Sequence, residues 1–165
     1  MRSLQQKDLT LLLKWRNHPS IRKSMLSQHI ISPSEHIDWF SSKSLDPNFQ
    51  PMIYEENNCA MGYVSFTILA EGGSAEWGFY SAPDAPKGTG TRMGKCALSY
   101  AFKDLKLKKI YGQALHTNAI SQNFHIKLGF HQEGIAQKQS AHDSRYHDII
   151  CYSLLQKDWF NNDKS

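Results

Sequence analysis

The chain opens on a helical period of apolar residues, changes to a strand period, and then alternates between the two. LTLLLKWRN, residues 9–17, reads as a helix capped by Asp8 and stopped near His18-Pro19. Pro19 suits the first position of a second short helix, SIRKSM. Ser32-Pro33-Ser34-Glu35 is a capping box that should open a helix through HIDWFSSK. FQPMIYEE, CAMGYVSFTILA and SAEWGFY then read as strands, separated by turns at Glu56-Asn57-Asn58 and Glu71-Gly72-Gly73. The joins are short, which predicts an antiparallel meander. TRMGKCALSYAFKDL returns to the helical period, with Met93, Ala97, Ala101 and Leu105 on one face. KIYGQAL is a strand, and AISQNFHIKL is a helix with Ile120, Phe124 and Leu128 on one side and Gly129 just past its end. GFHQEGIAQKQ and YHDIICYSLL complete the pattern as strands around a polar turn at residues 140–144. The order predicts an α/β domain with a largely antiparallel sheet.

Composition narrows the class. With 165 residues, one domain over 1–165 is expected, large enough for a real core. No window is apolar enough for a membrane span, and the N-terminus lacks a secretory cleavage pattern. Cys59, Cys96 and Cys151 are odd in number and far apart. That argues against a disulfide framework and for a reducing cytoplasm. No spacing of Cys or His suggests a metal. The net charge of +4 suits an anionic small molecule as well as a nucleic acid. A basic stripe interleaved with aromatics is missing, which ranks nucleic acid last among the partners.

Residues 83–95, PDAPKGTGTRMGK, carry the first candidate chemistry. A strand leads through a turn into a helix that begins at Gly88-Thr89-Gly90-Thr91. The first N–H groups of a helix lack internal partners and sit at the positive end of its dipole, so they hold phosphate. Glycine lets an anion approach those amides. The spacing is neither a Walker A loop nor the dinucleotide GxGxxG, because position 93 is methionine.

Ala85-Pro86-Lys87-Gly88-Thr89-Gly90 resembles the acetyl-CoA loop of the GNAT superfamily of N-acetyltransferases, (Gln/Arg)-x-x-Gly-x-(Gly/Ala). It departs at alanine in the first place. NAISQNFHIKLGF resembles a second block of that family, matching at Asn118, Ser121, Lys127, Gly129 and Phe130. The resemblance covers nearly the whole chain. It implies the GNAT fold, an α/β (α+β type) domain with a mostly antiparallel, twisted, seven-stranded sheet flanked by helices and splayed between the fourth and fifth strands. It also implies acetyl-CoA as co-substrate. WRNHPSIRKSM, ISPSEHIDWF, WGFYSAPDAPKGTGTRMG and YHDIICYSLLQKDW resemble one branch. That branch acetylates UDP-4-amino-4,6-dideoxy-N-acetyl-β-L-altrosamine in pseudaminic acid biosynthesis. WRN also occurs in relatives that acetylate protein N-termini and polyamines.

The resemblance supplies candidate roles. Phe79, Tyr80, Ser81, Lys87, Gly88, Thr89, Gly90, Thr91, Asn118 and Ser121 are expected to bind acetyl-CoA. An N–H within residues 78–81 is expected to stabilise the oxyanion. His125 stands where many relatives have tyrosine, and is the candidate acid for the thiolate. Glu76 is the candidate base, with His29, His36, His116 and His147 as alternatives. Arg16, Arg22, His36, Trp39 and His147 are candidates for the acceptor, the guanidinium groups for its diphosphate. No covalent nucleophile is required, so the three cysteines are expected to be buried small hydrophobes.

The partners expected are a small UDP-amino-sugar and, as an option left open, a second copy of the chain. No nucleic acid, membrane or metal is expected. Beside a nucleotide-sugar acetyltransferase, three readings stay open: a protein N-terminus or polyamine acetyltransferase, a catalytically silent acetyl-CoA-binding module, and a nucleic-acid binder.

Overall fold

A computed structural model describes residues 1–70, 73–142 and 145–162. The turn residues Glu71, Gly72, Asp143 and Ser144 lie outside the described residues. Strands β1 (Arg2–Ser3), β2 (Phe49–Glu56), β3 (Cys59–Ala70), β4 (Ser74–Ser81), β5 (Lys109–Leu115), β6 (His131–His142) and β7 (Arg145–Leu155) form one seven-stranded sheet, ordered β1-β2-β3-β4-β5-β7-β6. All neighbours are antiparallel except β4 and β5. Those two run parallel, and their pairing covers only Ser74–Lys109, Ala75–Ile110 and Glu76–Tyr111. Beyond Glu76 they part.

Strand alternation sends successive side chains to opposite faces, which builds two cores. Val64, Phe66, Ala75 and Trp77 meet α4 (Thr89–Ser99) and α5 (Ala119–Lys127) in the larger one. Ile53, Tyr63 and Tyr80 face the other way, onto Leu9, Leu12 and Trp15 of α1 (Leu9–Asn17) and Ile21 of α2 (Pro19–Arg22). Trp39 and Phe40 of α3 (Pro33–Ser44) pack against the same cluster. A last helix, α6 (Gln156–Asn162), follows β7 and buries Trp159.

The Ser32–Glu35 capping box forms in both directions. Glu35 N–H donates to Ser32 Oγ at 3.2 Å, and Ser32 N–H donates to Glu35 Oε2 at 2.8 Å. Asp8 differs from expectation. Its carboxylate turns away from α1, accepts from Arg2 at 2.7 and 2.9 Å, and accepts the Gln5 N–H at 2.9 Å. A nearly buried carboxylate gains more from a guanidinium fork than from one helix amide. Arg2 thereby holds β1 against the start of α1. The helix of α4 also changes pitch, continuing as a π-helical turn over Tyr100–Asp104, where Leu105 N–H reaches Tyr100 O at 3.1 Å. Leu105 is half-buried, while Met93, Ala97 and Ala101 face the core as the period requires.

Candidate active site

The parting of β4 and β5 opens a cleft of about 600 Å³. Glu76 marks the fork, and Gly78, Phe79, Tyr80 and Ser81 continue along one wall. Gln113, Ala114 and Leu115 of β5 form the other. One edge of β4 is paired to β3 as far as Ser81, while the edge beyond Glu76 has no partner strand. Along such an edge every second N–H and C=O faces the gap, ready for an extended ligand to add as a strand.

At one end, the cleft reaches the start of α4. Gly88 caps this helix with φ +89°, a conformation that side chains with a Cβ resist. Thr89 N–H bonds Pro86 O at 3.1 Å, and the helical ladder begins with Arg92 N–H to Gly88 O at 3.2 Å. The amides of Gly90 and Thr91 precede that first rung and stay available to an anion. Gly90 lines the cleft, and a Cβ there would stand 3.4 Å from Ser81 Oγ. Bare glycines, open amides and an unpaired strand edge fit the diphosphate and the extended arm of coenzyme A.

α5 supplies the floor. Asn118 Oδ1 accepts the Ser121 N–H at 3.1 Å and so caps the helix, and both residues line the cleft. Gln122 Nε2 donates to Leu115 O at 3.2 Å and His116 O at 2.8 Å, fastening α5 to the end of β5.

His125 is one turn further on and does not reach the cleft. It is fully buried. Its Nε2 accepts from Trp77 Nε1 at 3.1 Å, its Nδ1 lies 2.8 Å from Ser121 O, and its ring stacks on Tyr152 at 4.9 Å. Indole N–H only donates and a carbonyl only accepts, so the imidazole is the neutral Nδ1–H tautomer with both nitrogens engaged. Burial pushes its pKa down to about 4. The expectation of a proton-donating His125 is therefore corrected: this side chain is part of the core. The expected apolar face of α5 shifts with it, because Leu128 is buried while Ile120 is exposed and borders the cleft.

A further part of the cleft lining is built by the segment after α2. Ile21, Ser24, Met25 and Ser27 contribute to it. Asn17 holds this segment in place: Nδ2 donates to Ile31 O at 2.8 Å, and Oδ1 accepts the Ile31 N–H at 2.9 Å. Arg16 adds a bond from Nη2 to Ser27 O at 2.6 Å. Its Nη1 is buried against the cleft wall and has no hydrogen-bond partner among the described residues. Burial lowers the Arg16 pKa, and the nearby charge of Arg22 lowers it further. The Tyr80 phenol, whose pKa burial raises, lies close to Arg16. Arg16, with Arg22 nearby, therefore sets positive charge against this side of the cleft. Among the described residues, Glu76 is the one carboxylate on the cleft lining.

Other candidates are placed elsewhere. His36 is buried, stacks on Trp39 at 5.2 Å, and is pushed down in pKa by burial. Trp39 meets Phe49 and Tyr63 edge-on. Both are corrected from acceptor binding to core packing, because α3 turns this face onto the sheet. His147 stacks on His116 at 5.6 Å, outside the cleft lining. His29 pairs with Glu35 at 3.2 Å on the surface. Arg22, Lys87, Thr89 and Thr91 are also off the lining; Lys87 is exposed, and Thr89 is buried beneath the loop. Cys59 is exposed, against expectation, while Cys96 and Cys151 are half-buried; all three are free. Sequence reasoning missed the Ser24–Ser27 rim, which has no period of its own. The polar pair Arg16-Asn17 at the end of α1 was its only trace. Among the described residues no helix is long and apolar enough to cross a membrane, and no group of three or more His, Cys, Asp or Glu is placed to hold a metal.

The chain is similar to known proteins in sequence and in fold. Residues 1–131 match the family model described as an acetyltransferase (GNAT) domain. The chain is 29% identical to acetyltransferase PseH of Campylobacter jejuni over 115 residues, which are 70% of this chain and 71% of that one. It is 29% identical to the putative ribosomal N-acetyltransferase YdaF of Bacillus subtilis over 110 residues, 66% of this chain and 59% of that one. The solved spermidine N-acetyltransferase of Vibrio cholerae, in complex with CoA and spermine, has the same fold, with a TM-score of 0.89 over 97% of this chain and 96% of that one, at 23% identity. The family match and the shared fold together make this chain an acyl-CoA-dependent N-acetyltransferase. The chain belongs to the acetyltransferase (GNAT) family.

Proposed function

We propose that this enzyme acetylates the amino group of an anionic acceptor, the 4-amino group of a UDP-linked 4-amino-4,6-dideoxy-N-acetyl-altrosamine in pseudaminic acid biosynthesis. One observation carries the reading: the Arg16 guanidinium in the cleft lining, its buried Nη1 without a hydrogen-bond partner among the described residues, with the charge of Arg22 nearby. A nucleoside diphosphate satisfies two neighbouring guanidinium groups, whereas a polyamine is repelled by them. A single lining carboxylate, Glu76, is few for a polycation. The relatives named PseH, and the sequence blocks shared with that branch, support the same choice.

The cleft divides the work. Acetyl-CoA supplies the acetyl thioester as electrophile. The amides of Gly90 and Thr91 hold its diphosphate, and the free edge of β4 holds the arm beside Asn118 and Ser121. A β4 N–H within residues 78–81 donates to the carbonyl oxygen as that oxygen gains charge. Glu76 draws the proton from the amine, directly or through water. The thiolate departs without an acid, which a thiol pKa near ~8.5 permits. We place the enzyme in the cytoplasm, in keeping with its three free cysteines.

A thiol-release assay tests this. Purified enzyme with acetyl-CoA should turn over the UDP-4-amino sugar and leave spermidine and a peptide N-terminus unacetylated. Turnover of spermidine or the peptide in preference to the sugar overturns the acceptor. Coenzyme A binding without turnover of any amine leaves only a binding module.

A further inference from the structure

We infer that Arg92 is a ligand of the coenzyme's diphosphate, filling the place that Ala85 leaves without a donor. The inference rests on reading the start of α4 as the diphosphate cradle.

Helical side chains lean toward the N-terminus of their helix, so Arg92 folds back over the turn before it. Its Nη2 donates to Thr89 Oγ1 at 3.1 Å. Its Nη1 lies 3.0 Å from the point a Cβ on Gly88 would occupy. The guanidinium thus covers the bare side of the residue whose left-handed conformation shapes the cradle. A second element sets it there. Arg92 Nε donates to Glu56 Oε1 at 2.6 Å and Nη2 to Oε2 at 3.0 Å, a fork on the last residue of β2. Tyr54 OH donates to the same Oε1 at 2.7 Å. Arg92, then Tyr54, hold the Glu56 carboxyl down at about 2. The carboxylate is therefore charged throughout the working range and keeps the fork oriented. This fork uses Nε and Nη2 and turns Nη1 toward the Gly88 side.

Loop chemistry leaves Arg92 as the suited cation. Ala85 offers only a methyl group and packs on the α1 side of the sheet. Lys87 is exposed and carries no fork. A guanidinium beside open amides adds charge to dipole on the same anion, and pre-orientation by Glu56 limits the entropy lost on binding. Glu56 is accordingly a positioning residue, acting through Arg92.

Titration of the purified protein with coenzyme A and with dephospho-coenzyme A, followed by calorimetry, tests the inference. Arg92→Ala should weaken both ligands about tenfold, the range of one charge-assisted contact. Arg92→Lys should recover part of that loss. Glu56→Gln keeps the cation and loosens its orientation, so it should weaken both by less than Arg92→Ala does. Unchanged affinity in Arg92→Ala overturns the inference. A loss seen with coenzyme A but not with dephospho-coenzyme A also overturns it, since the contact is then to the 3′-phosphate. An equal loss in Glu56→Gln marks the pair as a structural clasp and overturns it too. If the unaltered protein binds neither ligand, the cradle reading itself falls.

Discussion

Trp77 Nε1 donates to His125 Nε2 at 3.1 Å, between residues 48 apart in sequence, and this bond joins the β4 wall of the cleft to α5. Trp77 is the first residue of β4 beyond its last pair with β5. Gly112 follows Tyr111 on the opposite strand, and a Cβ there would stand 2.7 Å from Trp77 Nε1 and collide with the His125 ring. The bare glycine lets indole and imidazole close over the sheet at the fork.

His125→Phe should remove the acceptor from a buried indole N–H, at a cost of about 1–3 kcal/mol. Urea denaturation should show a lower midpoint. The alkaline limb of the rate–pH profile should keep its position, because no proton passes through this ring. Loss of that limb in the variant would restore His125 as the acid.

Stability should rise with pH between about 4 and 6.5. The folded pKa of His125 is lowered from 6.5 to about 4. The unfolded chain therefore binds more protons in this window, and folding weakens as pH falls through it. The full effect of one such group is about 3 kcal/mol. Urea midpoints at pH 7.5 and 4.5 should differ more in the unaltered protein than in His125→Phe, where only other groups, such as His36, still contribute. Equal differences would show that His125 is not shifted.

Gly88→Val should weaken coenzyme A about tenfold or more while the protein still folds. Holding a side chain at φ +89° strains the turn by about 1–2 kcal/mol, and its Cβ presses on Arg92. Circular dichroism checks the fold and calorimetry the affinity. A folded variant with unchanged affinity contradicts the cradle.

Glu76→Gln should lower kcat with the UDP-4-amino sugar about a hundredfold, and leave the KM for acetyl-CoA within about twofold. Partial recovery of the rate at higher pH, where more of the amine is neutral, would accompany a lost base. Undiminished kcat would mean that solvent takes the proton.

Arg16→Gln should raise the KM for the UDP-linked acceptor about tenfold or more and leave coenzyme A affinity unchanged. The guanidinium belongs to α1 and not to the start of α4, so the two ligands should respond separately. A parallel loss of coenzyme A binding would show that the rim and the cradle are coupled.

Much of the scaffold was legible in the chain. Ser32 and Glu35 marked the start of α3, Gly88 marked the start of α4, and β2 to β5 and β7 appeared within a residue of the runs that predicted them, whereas β6 starts two residues later than expected and runs on to His142, into the expected turn. β1 was not legible by period, because two residues have none; its place comes from pairing with Met52 and Ile53. The Asp8 cap failed for a related reason, since its partner Arg2 is brought in by that same strand.

The site was legible where it depends on backbone and obscure where it depends on which face a helix presents. The spacing of Asn118, Ser121 and His125 at three and four predicts one shared helix face, but only Asn118 and Ser121 line the cleft, while His125 is buried. Residue order determined local matters: where helices start, where a left-handed turn needs glycine, and which strands are joined by short turns. Those follow from φ/ψ limits and hydrogen bonds within a few residues. Only the tertiary structure decided that α5 sends His125 into the core, that α3 packs His36 and Trp39 against the sheet, and that Arg16 comes to line the cleft. These outcomes depend on packing between segments distant in sequence, where a shared helical face is known but the surface it meets is not.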